Sequence, residues 1–189
     1  MDEPDSYARS ALLYAALWGH KDIVELLLDA CADMALKDDD GKTAPVHAAG
    51  HGHEGVVKLL LDRSTDVEQG SGLSNDALYE AASDGYQRVV HILLEWGADV
   101  NARGGHYGTA LQAALYKGLE DVVAQLLKAG ADVNAQGGEY GTAPYASSAE
   151  GHKDIVAQLL KAGADVNAQG RRYGTLLLQT MIIWRSLSY

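Results

Sequence analysis

One interval recurs without slip through this chain. "NARGGHYGTA" stands at Asn101 to Ala110, "NAQGGEYGTA" at Asn134 to Ala143, and "NAQGRRYGTL" begins at Asn167, so successive copies are evenly spaced. Gly19, Gly52, Gly85, Gly118 and Gly151 keep the same interval, as do Asp33, Asp66, Asp99, Asp132 and Asp165. A fixed period of about 20 to 50 residues marks an array in which one small unit is copied and each copy packs on its neighbours. The register divides the chain into units of about 5–37, 38–70, 71–103, 104–136 and 137–169, with a partial unit at 170–189. Together they are expected to form one repeat domain over residues 1–189.

The fourth unit shows how each copy folds. Thr109 offers a hydroxyl to the free N–H groups of a first helical turn. A short helix over Ala110 to Tyr116 follows, and Gly118 breaks it. Glu120 and Asp121 open a second helix, where negative charge suits the dipole. Val122, Val123, Leu126 and Leu127 then fall on one apolar stripe. Gly130 closes the helix in the left-handed cap that glycine favours. Small pairs mark the first helices (Ala15-Ala16, Ala48-Ala49, Ala81-Ala82, Ala113-Ala114), and Leu-rich runs mark the second. A two-helix unit cannot bury that stripe alone, but stacked units can.

"KTAPVHAAGHGHEGVVKLLLDRSTDV" and "GTALQAALYKGLEDVVAQLLKAGADVNA" resemble ankyrin repeats in the paired Ala, the Gly-His, the paired Val, the Leu run and "GADVNA". The resemblance covers roughly Asp5 to Tyr173. The "NARGGHYGTALQAA" and "NAQGGEYGTA" wording is similar to the long arrays of filamentous fungi. The implied fold is all-α: an ankyrin-repeat solenoid of helix-turn-helix units with hairpin-like connectors. The implied function is a protein–protein interaction scaffold, with no enzymatic role and no cofactor. The implied binding surface is the concave side, made of connector tips and the free face of each first helix. On those helices it comprises Leu17, Trp18, His51, Asp84, Tyr116, Lys117 and Glu150; on the tips, Asp39, Asp40, Lys42, Arg103, His106, Glu139, Arg171 and Arg172. Trp18 and Tyr116 are the expected anchors, because aromatic residues dominate interface hot spots. A ligand-sensing segment of a larger receptor-like protein is the alternative. An enzyme or small-molecule binder using the concave groove is disfavoured, because no acid, base and nucleophile converge.

The chain departs from the pattern in several places. The aspartate that opens a connector, Asp38, becomes Ser71, Gly104, Gly137 and Gly170, and the turn glycine Gly41 becomes Tyr107, Tyr140 and Tyr173. Gly104-Gly105 and Gly137-Gly138 can rebuild the turn through positive φ. Pro45 and Pro144 stand where Leu12, Leu78 and Leu111 stand elsewhere, and Ser147-Ser148 replace an alanine pair. The three connector tyrosines are expected to pack on one another or to bind a partner. Neither end carries a polar capping unit, so weak self-association is expected through Leu177, Met181 and Trp184, and the C-terminal end is expected to be the weakest part.

Several motifs imitate other chemistry. Gly50 to Gly55 spells G-x-G-x-x-G, but a dinucleotide site needs a strand before it, and a short helix stands there. His47 and His51 are spaced i, i+4, as a metal requires, yet no tetrahedral set is evident with His53 and Glu54. Cys31, flanked by Asp29 and Asp33, is a poor thiolate and takes the place of the helix-ending glycine. Asp38-Asp39-Asp40-Gly41 lacks the alternate ligands and distal Glu of a calcium loop, and is read as a connector tip. No metal or cofactor is expected.

Net charge sharpens the partner class. Residues 1–100 carry 19 acids and 7 Lys/Arg, a net of −12, whereas residues 101–189 carry 7 and 8, a net of +1. An acidic front half repels phosphate backbones and anionic membranes, so a neutral or basic protein is the expected partner. A lone cysteine fits a reducing compartment, and Met1 is not followed by a basic and then apolar leader. The expected location is the cytoplasm, with the nucleus left open.

Overall fold

A computed structural model describes residues 10–64, 73–137, 141–142 and 152–165. The chain divides into two compact units between Asp99 and Val100. The first holds α1 (Ala11–Leu17), α2 (Lys21–Asp29), α3 (Ala44–Gly50), α4 (Glu54–Arg63), α5 (Leu73–Asp84) and α6 (Gln87–Glu95). In the second, α7 (Ala110–Tyr116), α8 (Glu120–Lys128) and α9 (Lys153–Lys161) are joined by β1 (Arg103–Gly104), β2 (Gly108–Thr109), β3 (Gln136–Gly137) and β4 (Gly141–Thr142). The strands form two antiparallel two-stranded pairs, β1 with β2 and β3 with β4. Strand is thus confined to hairpin connectors among the described residues. The segment expected to form the first helix of the fifth repeat, with Pro144 and Ser147-Ser148, lies outside the described residues. So does the segment from Leu176 to Trp184.

Several helix ends form for the reasons the fourth unit suggests. Thr109 caps α7, accepting from Gln112 N while Gln112 Oε1 accepts from Thr109 N at 3.0 Å, a reciprocal capping box. Ser10 plays the accepting half of that role at α1. Pro45 sits in the first turn of α3, where a missing N–H costs nothing. Helix α8 ends with Gly130 N donating to Leu127 O and Ala131 N to Leu126 O, the paired bonds of a Schellman end. Cys31 makes the same bonds at the end of α2 and is held at φ 62°, where a Cβ costs about 1 kcal/mol.

First helices pack side by side, α1 on α3 and α3 on α5, and second helices follow suit, α2 on α4 and α4 on α6. The alanines of the first helices let the backbones close up, while Val57, Leu60, Val90, Leu93, Val123 and Leu126 are sealed beneath the second helices. Each such valine or leucine contributes about 1.5–3 kcal/mol by leaving water. The fourth repeat departs from the expected small pair. In strict register, the column of Ala15 and Ala16 holds Ala114 and Leu115, and Leu115 is fully buried.

Two joints tie one repeat to the next. A ring from the following repeat covers three of the turn glycines: a Cβ on Gly19, Gly52 or Gly118 would run into His53, Tyr86 or His152. His53 Nε2 also donates to Leu17 O at 2.9 Å. In the second unit, the Asn101 amide donates to Gly130 O at 3.3 Å and accepts from Asp132 N at 2.7 Å. Asn134 repeats the joint with Gly163 O and Asp165 N, at 3.2 and 2.8 Å.

Candidate functional site

The candidate residues of the first unit sit at the ends of the first helices and on one connector. Trp18, the C-cap of α1, is 66% exposed and Leu17 beside it is half-buried. One and two repeats on, His51 caps α3 and Asp84 ends α5, both exposed. His51 Nδ1 donates to His47 O at 2.9 Å, and its ring stacks on His53 with centroids 6.2 Å apart. Asp39 and Asp40 are exposed at the connector tip. Lys42 is only partly exposed and pairs with Glu80 on the neighbouring first helix at 3.0 Å. Its charge is therefore already balanced within the molecule, which its place on a tip did not suggest.

Within the acidic connector tip, Asp38 differs from its exposed neighbours Asp39 and Asp40. Its carboxylate is buried and bonded on both oxygens. Oδ1 accepts from Asp40 N at 3.1 Å and Lys42 N at 2.9 Å, and Oδ2 from His47 Nε2 at 2.7 Å. Burial pushes the carboxyl up, but the Lys42 amide, the His47 ring and the Asp40 amide together outweigh it and hold it below the usual carboxylate range. The i, i+4 histidines are likewise committed elsewhere: His47 to Asp38, His51 to a backbone carbonyl and His53 to Leu17. No group of three or more His, Cys, Asp or Glu side chains able to hold a metal is found among the described residues.

In the second unit the candidates gather on the β1–β2 connector and the end of α7. Register pairs Arg103 with Thr109 and Gly104 with Gly108. Of the expected pair Gly104-Gly105, only Gly105 takes a positive φ, 56°; the second left-handed glycine of the turn is Gly108, at 104°. Arg103 reaches the next connector, donating to Gln136 O at 2.9 Å, and His106 meets Tyr107 edge-on. Tyr107 stacks on Tyr116 with centroids 4.6 Å apart. Tyr116, expected as an anchor, is therefore half-buried with one face against Tyr107, while Lys117 beside it is exposed. Tyr140, Tyr173, Glu139, Glu150, Arg171 and Arg172 lie outside the described residues.

Gln112 is a residue the sequence did not flag. Its Nε2 donates to Ala135 O and Gly137 O of the next connector at 3.2 and 3.3 Å. The one available signal was its position three residues after Thr109, the spacing of a capping box. Among the described residues, no helix is long and apolar enough to cross a membrane.

A family model of ankyrin repeats, in three copies, matches residues 12–104 and 103–170. No curated protein matches the chain.

Proposed function

The chain belongs to the ankyrin-repeat family, an all-α solenoid fold whose members are generally protein–protein interaction modules, and on that premise we propose that it is a binding scaffold that recognises a protein through the ends of its first helices and its connector tips. In the first unit the recognition row is Trp18, His51 and Asp84, joined by Asp39 and Asp40. In the second it is His106, Lys117 and the outer face of the Tyr107–Tyr116 stack.

The observation that carries this reading is the state of Trp18. An indole left 66% in water contributes little to folding, yet it is the side chain best able to anchor a partner. The acidic surroundings of the first unit suit a neutral or basic protein segment. The reading is tested by capture from extracts of the cells that make the protein, followed by titration of the captured protein against purified variants. Trp18→Ala is expected to weaken binding at least about tenfold, as for an aromatic hot spot. Trp96→Ala, which removes an exposed Trp at the end of α6, is expected to leave binding unchanged. Equal binding by parent and Trp18→Ala would remove the row from consideration.

A further inference from the structure

Gly50 ends α3 within the recognition row of the first unit, and the fold has no use for a glycine there. Its backbone is helical, not left-handed. A Cβ at Gly50 would meet Glu80, 3.4 Å from its Cβ and 3.6 Å from its Oε2, which are ordinary contact distances. A helical glycine nevertheless lowers the folding equilibrium constant about twofold to fivefold against alanine. The column runs from Leu17 through Gly50 to Ser83, each partly exposed, so the missing side chain leaves a gap open to solvent. Charge stands beside that gap. Asp76 and Glu80 lie four residues apart on one face of α5, a helix with no Lys or Arg, and like charges at that spacing repel. Lys42 meets Glu80 Oε1 at 3.0 Å, whereas Oε2 is the oxygen next to Gly50. The row thus keeps a glycine and an acidic face that both cost the fold.

We propose that the gap at Gly50 is a socket for one lysine or arginine side chain of the protein partner, its stem lying along Leu17 and its cation meeting Glu80 Oε2. The inference rests on the recognition row proposed above and names the residue type that the row selects. Long basic side chains bury their methylenes on apolar surface and keep the charge at the rim, and the socket has that layout: Leu17 and bare backbone within, a carboxylate at the edge. Glycine lets the incoming chain approach the helix closely. The choice of a cation follows from charge, because a carboxylate or phosphate entering here would face Glu80 and Asp76 as like charges, within a half of the chain that carries a net −12. Trp18, next to Leu17, remains the apolar anchor, and the socket adds selectivity beside it.

Panning a random peptide library displayed on phage against the full chain tests the proposal, with far-UV circular dichroism confirming that each variant is folded. Peptides whose binding is lost in Trp18→Ala report on the row, and these are scored. They are expected to share a lysine or arginine. Replacing it by Gln in the synthetic peptide is expected to weaken binding at least about tenfold, the scale of a hydrogen bond to a charged group. Glu80→Gln is expected to weaken the basic peptide to the same extent and to spare the Gln peptide, the coupling that marks a direct contact. Gly50→Leu fills the socket and is expected to weaken binding more than about tenfold, as overpacking does. Gly50→Ala is expected to raise the folding equilibrium constant about twofold to fivefold. Trp18-dependent peptides without a basic residue would overturn the socket and leave the row standing. Equal effects of Glu80→Gln on both peptides, or a Gly50→Ala variant less stable than the parent, would do the same. A library that yields no Trp18-dependent peptide would overturn the row and the socket together.

Discussion

The second and fourth repeats solve the same problem with opposite chemistry. Each must turn the chain sharply before a short helix. The second does it with a buried charge. Asp38 draws in two backbone N–H groups and the His47 ring, Gly41 turns at φ 75°, and Thr43 is left with a buried hydroxyl that has no partner. The fourth does it with backbone. Two residue pairs zip β1 to β2, and a neutral amide, Gln112, closes the cap and reaches the next connector. The charged turn concentrates its stability in one side chain and the neutral turn spreads it over many groups. Their responses to mutation and acid should therefore diverge.

The largest effect is expected at Asp38. Asp38→Ala leaves a buried histidine and two backbone donors without their acceptor, a loss of about 3 kcal/mol in urea unfolding. The same carboxyl sets an acid response. Its pKa is lowered in the fold, so the unfolded chain takes up the proton first, and its contribution is lost as pH falls below the ordinary value of 3.8. Amide exchange at Asp40 and Lys42 should accelerate through that window ahead of exchange at Thr109. If the two connectors open together, the contrast is wrong.

A smaller loss, about 2 kcal/mol, is expected for Gln112→Ala, which removes one cap acceptor and two donors to the next connector. Unlike the Asp38 variant, it should leave the acid response intact, which a stability profile across pH will check. The smallest effect separates the two threonines. Thr43→Val removes a hydroxyl that bonds to nothing and should change stability by less than about 0.5 kcal/mol in either direction. Thr109→Val, which breaks a cap, should cost about 1 kcal/mol. Equal costs in thermal unfolding would show that the Thr43 hydroxyl is bonded in solution.

What could be read from the residues alone follows the range of the interaction. The cap at Thr109, the bounds of α7, the first-turn acids of α8 and the helix end at Gly130 depend on close neighbours along the chain, and spacing displays those. Cys31 was legible because the period fixed its column. The Asp38–His47 bond closes around a turn whose geometry no spacing rule supplies, so the spacing showed the aspartate only as the opening of a connector and gave the histidine no partner. The stack of Tyr107 on Tyr116 was hidden for the same reason, since the tyrosines invited comparison with their copies one repeat away. The ion pair of Lys42 was not visible along the sequence because its partner Glu80 belongs to the next repeat.

The asparagine joints carry a consequence for how such a chain can lengthen. Asn101 holds the helix end of the following repeat, and that repeat brings its own asparagine, Asn134, for the one after. A tandem duplication of one whole repeat therefore inserts the hook and the eye together, and no compensating change is needed on either side of the insertion. Ala35, in the same column, has no amide to offer. New copies are consequently easiest to add in the C-terminal half, and the near-identical "NAQGGEYGTA" wording found there has the form that recent copying would leave.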